Sequence, residues 1–306
     1  MHIVEIKNLS KSFDGRNYAV KNLSMTISPG EILGFLGPNG AGKTTTLRII
    51  NGILKPDAGK IFVKDEELTE KNTDVIHKIA GVLTDNAEFY EYLTGYQNLL
   101  FFGTMFKIDR AAVKSKCDEL LKRFDIYDAK DTQVKAYSTG MKKRLKLVRA
   151  FLNNPEIVFL DEPTSGLDPE GAKIVTDFIK QAAADFNVTV FLCTHQLKYA
   201  EDICTVYAFI DKGEIIAYGK FNELLKDVNS SVHLNVRGEN LPMEISSAQI
   251  NSISSSFISI SLQDDKEADI IIKEIISKGG SIYEAVQKKM NLEDLYFAIQ
   301  NKYNGR

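Results

Sequence analysis

The most constraining feature of this chain is the octapeptide at residues 37–44, which fits the phosphate-binding pattern G-x-x-x-x-G-K-[ST]. Its glycines let the backbone turn several N–H groups toward one anion, and Lys43 adds a positive charge directed at the β- and γ-phosphates of a nucleotide. The Thr44 hydroxyl is placed to bind Mg²⁺. We therefore expect nucleotide binding by Gly37, Pro38, Asn39, Gly40, Ala41, Gly42, Lys43, Thr44 and Thr45.

The segments on both sides of this loop support the interpretation. Residues 32–36 form a short apolar run typical of a buried strand, and residues 44–50 continue as a helix whose N-terminus would face the phosphates. A glycine-rich turn without a ligand is the alternative. The order of strand, loop and helix favours the phosphate-binding interpretation.

A second motif narrows the class of nucleotide-binding protein. The apolar run at residues 157–160 leads directly into Asp161 and Glu162. A buried strand that ends in two carboxylates predicts that Asp161 binds Mg²⁺ and that Glu162 accepts a proton from the water attacking the γ-phosphate. The alternative is a surface carboxylate pair that follows a core strand.

Composition excludes several classes of function. The chain has 306 residues, a net charge of −3 and a pI of about 5.9, so we expect no nucleic acid held by bulk electrostatics. Cys117, Cys193 and Cys204 lack the spacing of a metal site and are expected to be buried, reduced thiols. No apolar stretch reaches the roughly 18 residues of a membrane span, and the start has no signal region. The prediction is a chain that is neither secreted nor membrane-spanning.

The periodicity of apolar residues divides the chain into parts. From about residue 95 to 125 the pattern becomes helical, with Leu99, Phe102 and Phe106 in one stripe. After residue 221 the sequence pattern changes. It indicates a serine-rich strand and two amphipathic helices, the last with Asn291 as its expected N-cap. We predict an α/β ATP-binding domain over residues 1–221, with a helical subdomain at about 95–155. A small α+β accessory domain is predicted over residues 222–306.

Three further segments carry a family resemblance. Residues 138–141 read Ser-Thr-Gly-Met and head a basic helix, residues 161–169 read Asp-Glu-Pro-Thr-Ser-Gly-Leu-Asp-Pro, and His195 follows a buried strand. Together with the phosphate-binding loop, these segments resemble the nucleotide-binding domain of ATP-binding cassette (ABC) proteins over residues 3–220. The resemblance implies a P-loop fold with a parallel-sheet core, an antiparallel β subdomain and a helical subdomain. It also implies ATP and Mg²⁺ as ligands.

The resemblance implies a role for each matching residue. Glu162 and His195 would be catalytic, with His195 contacting the γ-phosphate, and Phe13 would stack on adenine. The residues implied to contact an ATP or P-loop of the other subunit are Ser138, Thr139, Gly140 and Asp168. Phe13 could instead be an ordinary strand aromatic, and His195 a satisfied histidine at a strand end. The basic run at 142–146 is interpreted as a solvated helix face without a ligand.

This sequence departs from the family pattern in two places. The family signature Leu-Ser-Gly-Gly-Gln is replaced by Tyr-Ser-Thr-Gly-Met at residues 137–141. Thr139 adds a Cβ and Met141 removes an amide, which predicts a weaker or differently tuned interface. At the family's glutamine position, which would contact nucleotide and Mg²⁺, this chain has Asp85. A shift of one residue would place Asn86 there and restore an amide.

The resemblance also implies partners. The C-terminal tail at residues 282–296 resembles that of bacterial drug and antibiotic exporter ATPases. The expected partners are transmembrane permease subunits on separate chains and a second copy or a homologous ATPase subunit. Such a complex would place this chain at the cytoplasmic face of the cell membrane. The alternatives are an importer ATPase, or a soluble cassette ATPase in translation or DNA repair; against the latter, this chain has a single P-loop and no sustained heptads.

Overall fold

The computed structural model describes residues 2–84, 88–228, 232–246, 248, 250–262 and 266–304. The chain forms two compact units, Met1–Tyr218 and Gly219–Arg306. Within the described ranges, no helix is both long and apolar enough to cross a bilayer.

The first unit contains two sheets and seven α-helices among its described residues. Its strands are β1 (Val4–Ser12), β2 (Tyr18–Ile27), β3 (Ile32–Leu36), β4 (Ala58–Val63), β5 (Glu66–Glu67), β6 (Ala80–Leu83), β7 (Ile157–Asp161), β8 (Thr189–Thr194), β9 (Val206–Asp211) and β10 (Glu214–Gly219). Its helices are α1 (Lys43–Ile50), α2 (Asp74–Ile79), α3 (Gly95–Met105), α4 (Arg110–Arg123), α5 (Thr139–Phe151), α6 (Pro169–Phe186) and α7 (Leu197–Ile203), with a 3₁₀ turn at Val134–Ala136.

The larger sheet is the expected parallel-sheet core. Its strand order is β10-β9-β3-β8-β7-β6, and β3 and β7 both pair in parallel with β8 between them. Every residue of β3, β7, β8 and β9 is buried, which explains why these strands read as continuous apolar runs. Phe191 packs between Phe35 and Phe159, with ring centroids 5.2 and 5.6 Å away. The smaller, antiparallel sheet has the order β2-β1-β4-β5.

The helical subdomain forms where its periodicity predicts helices. Helix α3 starts at a capping box in which Thr94 and Gln97 satisfy each other's backbone N–H groups, and Asp109 caps α4. The predicted stripe is correct for Leu99, which is fully buried, but wrong for Phe106, which is exposed. Phe106 lies at the C-cap of α3, where the chain leaves the helix and the spacing argument no longer applies.

The second unit is an α+β domain. Its elements are α8 (Phe221–Asp227), β11 (Val232–Glu239), β12 (Ile250–Ser254), β13 (Phe257–Leu262), α9 (Glu267–Ser277), β14 (Ser281–Lys289) and α10 (Leu292–Asn304). The strands form an antiparallel sheet of order β12-β13-β11-β14, and alternate residues of β11 and β13 pack with α9 in one core. The Asp294 backbone N–H donates to Asn291 Oδ1 at 2.8 Å, which confirms the expected cap of α10.

Candidate active site

Sheet topology brings the sequence motifs to one edge. The three central strands run in parallel, and their register aligns Leu36 with Thr194 and Asp161 with Cys193. The loop after β3, the end of β8 and the end of β7 therefore lie side by side. In open α/β sheets the ligand crevice lies at the carboxyl ends of the strands.

The loop at residues 37–42 can follow its path only because of its glycines. A Cβ on Gly37 would lie 2.2 Å from the Ile210 carbonyl oxygen, and a Cβ on Gly42 would lie 2.2 Å from that of Ala19. Gly42 also has a φ of +108°, a region that favours glycine. The backbone is thus packed tightly against β2 and β9.

Lys43 is folded back over this loop. Its ammonium donates to the Gly37 and Pro38 carbonyl oxygens at 2.6 and 3.0 Å, and the residue is only 7% exposed. These two bonds use two of the three N–H donors of an ammonium. They hold a positive charge at the start of α1, where the helix N-terminus also attracts anions.

The residues expected to bind Mg²⁺ fit that ion. Thr44 Oγ1 donates to Asp161 Oδ2 at 3.1 Å, which brings a hydroxyl and a carboxylate oxygen together although 117 positions separate them in sequence. Mg²⁺ prefers such oxygen ligands and is usually completed by substrate phosphates and water. Among the described residues, no cluster of three or more His, Cys, Asp and Glu side chains could hold a metal without such help.

Glu162 is held in an unusual position by β8. Its φ of +47° lies in the left-handed region, which costs a non-glycine residue on the order of 1–3 kcal/mol. Its backbone N–H donates to the Cys193 carbonyl oxygen at 2.9 Å, and its carboxylate accepts from Thr194 Oγ1 at 2.9 Å and the His195 backbone N–H at 3.0 Å. These contacts offset the strain and fix the direction of the carboxylate.

His195 completes this arrangement. Its Nδ1 lies 2.6 Å from Glu162 Oε1, and about half of the side chain is exposed. An ionised carboxylate only accepts hydrogen bonds, so Nδ1 carries the proton in that pairing and Nε2 is the remaining ring nitrogen. The bond therefore positions the ring and aligns Glu162 at the same time.

The signature residues lie at the start of α5, and Asp168 lies at the start of α6. Ser138 caps α5, and its Oγ accepts from the Met141 backbone N–H at 3.2 Å. Asp168 occupies the N-cap position of α6 and is exposed. Thr139 and Gly140 lie beside the loop before α6, since a Cβ on Gly166 would be 3.7 Å from Thr139 Cγ2.

Phe13 and Asp85 are the other two residues expected to contact the nucleotide. Phe13 follows the end of β1 rather than lying within it, and 68% of its surface is exposed. Asp85, together with Asn86, lies outside the described residues.

The interpretation of residues 142–146 as a solvated helix face is wrong for part of that run. Lys143 is buried, Lys142 pairs with Glu91 at 2.9 Å, and Arg144 donates to the Phe124 and Asp125 carbonyl oxygens at 3.2 and 3.1 Å. Charge count alone does not show that neighbouring segments supply partners for a basic helix.

Sequence reasoning gave Thr194 no role, although its hydroxyl contacts Glu162 directly. The available signal was a threonine at the end of a buried strand, immediately before His195. Its significance depends on the pairing of β7 with β8, which the sequence motif does not encode.

These features define a P-loop nucleotide hydrolase. The ABC transporter family model matches residues 20–165. Over 297 residues the chain is 32% identical to the uncharacterized ABC transporter ATP-binding protein YhcH of Bacillus subtilis, covering 97% of this chain and 95% of that protein. It is 39% identical to a fluoroquinolones export ATP-binding protein of Mycobacterium tuberculosis, covering 67% of this chain and 66% of that protein.

A solved structure supports the same assignment. A dimeric ATP-binding cassette bound to ADP and Pi has a TM-score of 0.65 and 25% identity, covering 71% of this chain and 98% of that chain. The chain belongs to the ABC transporter ATP-binding family. It is an ATPase coupled to transport.

Proposed function

We propose that this chain is one of two ATPase subunits that drive a membrane exporter. The main support for the catalytic role is the position of the Glu162 carboxylate. It contacts Thr194 and His195 at the edge of the sheet where the P-loop also lies. In this position Glu162 is the general base for the water that attacks the γ-phosphate. His195 Nε2 is the group that contacts the γ-phosphate.

The P-loop side of the site binds and orients the nucleotide. Loop N–H groups and Lys43 hold the phosphates, and Phe13 offers an exposed ring for stacking on adenine. Thr44 and Asp161 would hold Mg²⁺, which supplies positive charge against the charge that develops on the β- and γ-phosphates.

The second half of each ATP site comes from the other subunit. Ser138, Thr139 and Gly140 meet the γ-phosphate bound by the partner, and Asp168 reaches its P-loop. Moving a dimer from mostly open to mostly closed takes about 5.5 kcal/mol, or roughly 2.7 kcal/mol for each of two ATPs. Hydrogen bonds to charged groups contribute about 1.5–3 kcal/mol each, so one or two contacts per ATP are sufficient.

The departures from the family signature affect the contact between the signature residues and the ATP bound by the partner subunit. The Ser138 hydroxyl caps its own helix, and Gly140 has its nearest non-neighbour atom, Leu167 Cδ2, 3.5 Å from an added Cβ. Thr139 is exposed, and its methyl group lies near Gly166 of the same chain, so the side chain adds bulk where the family has glycine. We expect a functional interface that closes less tightly than one with glycine at this position.

An exposed aromatic surface on the helical subdomain fits a helix of a membrane subunit. We assign to this coupling surface Tyr90, Tyr92, Phe101, Met105 and Phe106, each of which is exposed. The rings of Tyr90 and Phe101 pack edge to face, 5.1 Å apart. Exposed apolar patches of this kind mark interaction sites, and an amphipathic helix in a groove is a common way to use them.

The export direction rests on the relatives. A fluoroquinolones export ATP-binding protein is among them, and its similarity extends over 206 residues of this chain. We assign residues 1–221 to the ATP-binding domain and 222–306 to an accessory domain. The permease subunits would hold the chain at the cytoplasmic face of the membrane.

Affinity purification of the full chain from detergent-solubilised native membranes tests this function. An integral membrane protein should copurify with the wild type and be lost with Tyr92→Lys, where a 77% exposed ring becomes a charge. Phe186→Lys is the matched control, because that ring is also exposed but lies at the end of α6. Recovery with ribosomes and without a membrane protein would contradict the proposal.

A further inference from the structure

Strand β14 is an exposed edge of the accessory domain. It pairs with β11 on one side, from Val232↔Lys289 to Glu239↔Ser281, and among the described residues no strand pairs with its other side. All of its residues except Ile282 are exposed. An edge of nine residues, roughly 30 Å long, presents a row of backbone donors and acceptors to any complementary strand.

The sequence of this edge is complementary to itself. If two copies of β14 run antiparallel with Val286 at the two-fold axis, Glu284 of each copy lies opposite Lys288 of the other. Ala285 then faces Gln287, and Tyr283 faces Lys289. Moving the axis by one residue in either direction places both Glu284 and Lys288 opposite apolar residues.

The charges next to the edge extend this complementarity. Within one chain, Arg237 Nε lies 3.1 Å from Glu284 Oε2, and Lys288 Nζ lies 3.2 Å from Asp294 Oδ2. Pairing two edges around Val286 produces a row in which positive and negative side chains alternate across the junction. Opposite charges that face each other across antiparallel strands are stabilising, and like charges are destabilising.

We infer that β14 is a homodimer surface, through which two copies of this chain join their accessory sheets into one antiparallel sheet of eight strands centred on Val286. The contact is made by backbone groups and by the Glu284–Lys288 pairs, so it requires no nucleotide. It is separate from the ATP-dependent contact proposed above, and it would keep two ATPase subunits together when their nucleotide sites are open.

Charge reversal tests the register of this contact. Sedimentation velocity of the nucleotide-free full chain should show a dimer for the wild type. Glu284→Lys and Lys288→Glu should each weaken dimerisation by about tenfold or more, because each places like charges opposite each other twice. A mixture of the two variants restores both opposite-charge pairs, so it should dimerise as the wild type does.

The mixture also controls for misfolding, since two misfolded chains would not rescue each other. A monomeric wild type at concentrations up to about 100 μM, or a mixture that stays monomeric, would overturn the inference. The variants lie outside the ATP site and should keep their basal ATPase rate. Failure here would therefore leave the proposed ATPase function in place.

Cross-linking gives an independent readout. Facing Cα atoms in an antiparallel pair lie about 4.5–5.5 Å apart, which suits a disulfide. Val286→Cys should therefore form a covalent dimer on mild oxidation, whereas Ser281→Cys, also exposed on β14, should not, because the two cysteines would be about 30 Å apart. The three native cysteines are buried and contribute little background. Equal cross-linking at both positions would indicate random encounters and overturn the inference.

Discussion

His195 Nδ1 lies 2.6 Å from Glu162 Oε1, although the two residues are 33 positions apart in the chain. Adjacent parallel strands β7 and β8 bring them together, and Thr194 adds a second side-chain contact to the same carboxylate. The expected catalytic base and the expected γ-phosphate contact are thus one hydrogen-bonded unit. Changes to any of its members should affect the chemical step more than nucleotide binding.

Thr194→Val should lower kcat by about tenfold to a hundredfold while ATP affinity changes little. The substitution removes the hydroxyl that donates to Glu162 Oε2, and a hydrogen bond to a charged group contributes about 1.5–3 kcal/mol. Thr194→Ser keeps the hydroxyl and should retain most of the activity. Steady-state hydrolysis and nucleotide titration measure the two effects. Equal losses in the valine and serine variants would contradict the positioning role.

Gly37→Ala should destabilise the protein by about 1–3 kcal/mol and lower its melting temperature. The added Cβ would lie 2.2 Å from a carbonyl oxygen in β9, which cannot move without disturbing the sheet. Gly140→Ala is the matched control for stability, because its nearest new neighbour is 3.5 Å away. Thermal unfolding of both variants checks the prediction. If Gly37→Ala has the melting temperature of the wild type, the loop at Gly37 is not packed tightly against the Ile210 carbonyl of β9.

His233 should make the stability of the second unit depend on pH. Burial lowers the pKa of His233 below its usual 6.5, Asp294 opposes this, and Lys288 adds to it. The unfolded chain then binds the proton more readily, so this contribution is complete above pH 6.5 and is lost as the pH falls through the folded-state pKa.

The test is the melting temperature between pH 8 and pH 5, a range of about one and a half units on either side of the usual histidine pKa. His233→Gln should flatten the decline that the wild type shows on acidification. The exposed His2→Gln variant should retain the wild-type profile. A wild-type decline that persists unchanged in His233→Gln would assign the pH dependence to other groups.

Features that are local in sequence could be predicted, and features that depend on strand order could not. The P-loop with its flanking elements depends on one short segment of sequence, and so does the carboxylate pair at the end of β7. The contact of Thr194 with Glu162 requires the order β3-β8-β7, and the burial of Lys143 requires knowing what packs on α5. Strand β14 carries no apolar alternation because eight of its nine residues are exposed, so the periodicity argument could not find it.

We propose Glu162 as the base that activates water in an ATP site closed by a second subunit. Glu162→Gln keeps the shape and the contacts with β8 but cannot accept the proton. Turnover and ATP-dependent dimerisation of this variant, measured together, test the claim most directly. We expect kcat to fall by about 10²–10⁴ with ATP binding retained, and a stable ATP-bound dimer to accumulate. Wild-type turnover in Glu162→Gln would contradict the account.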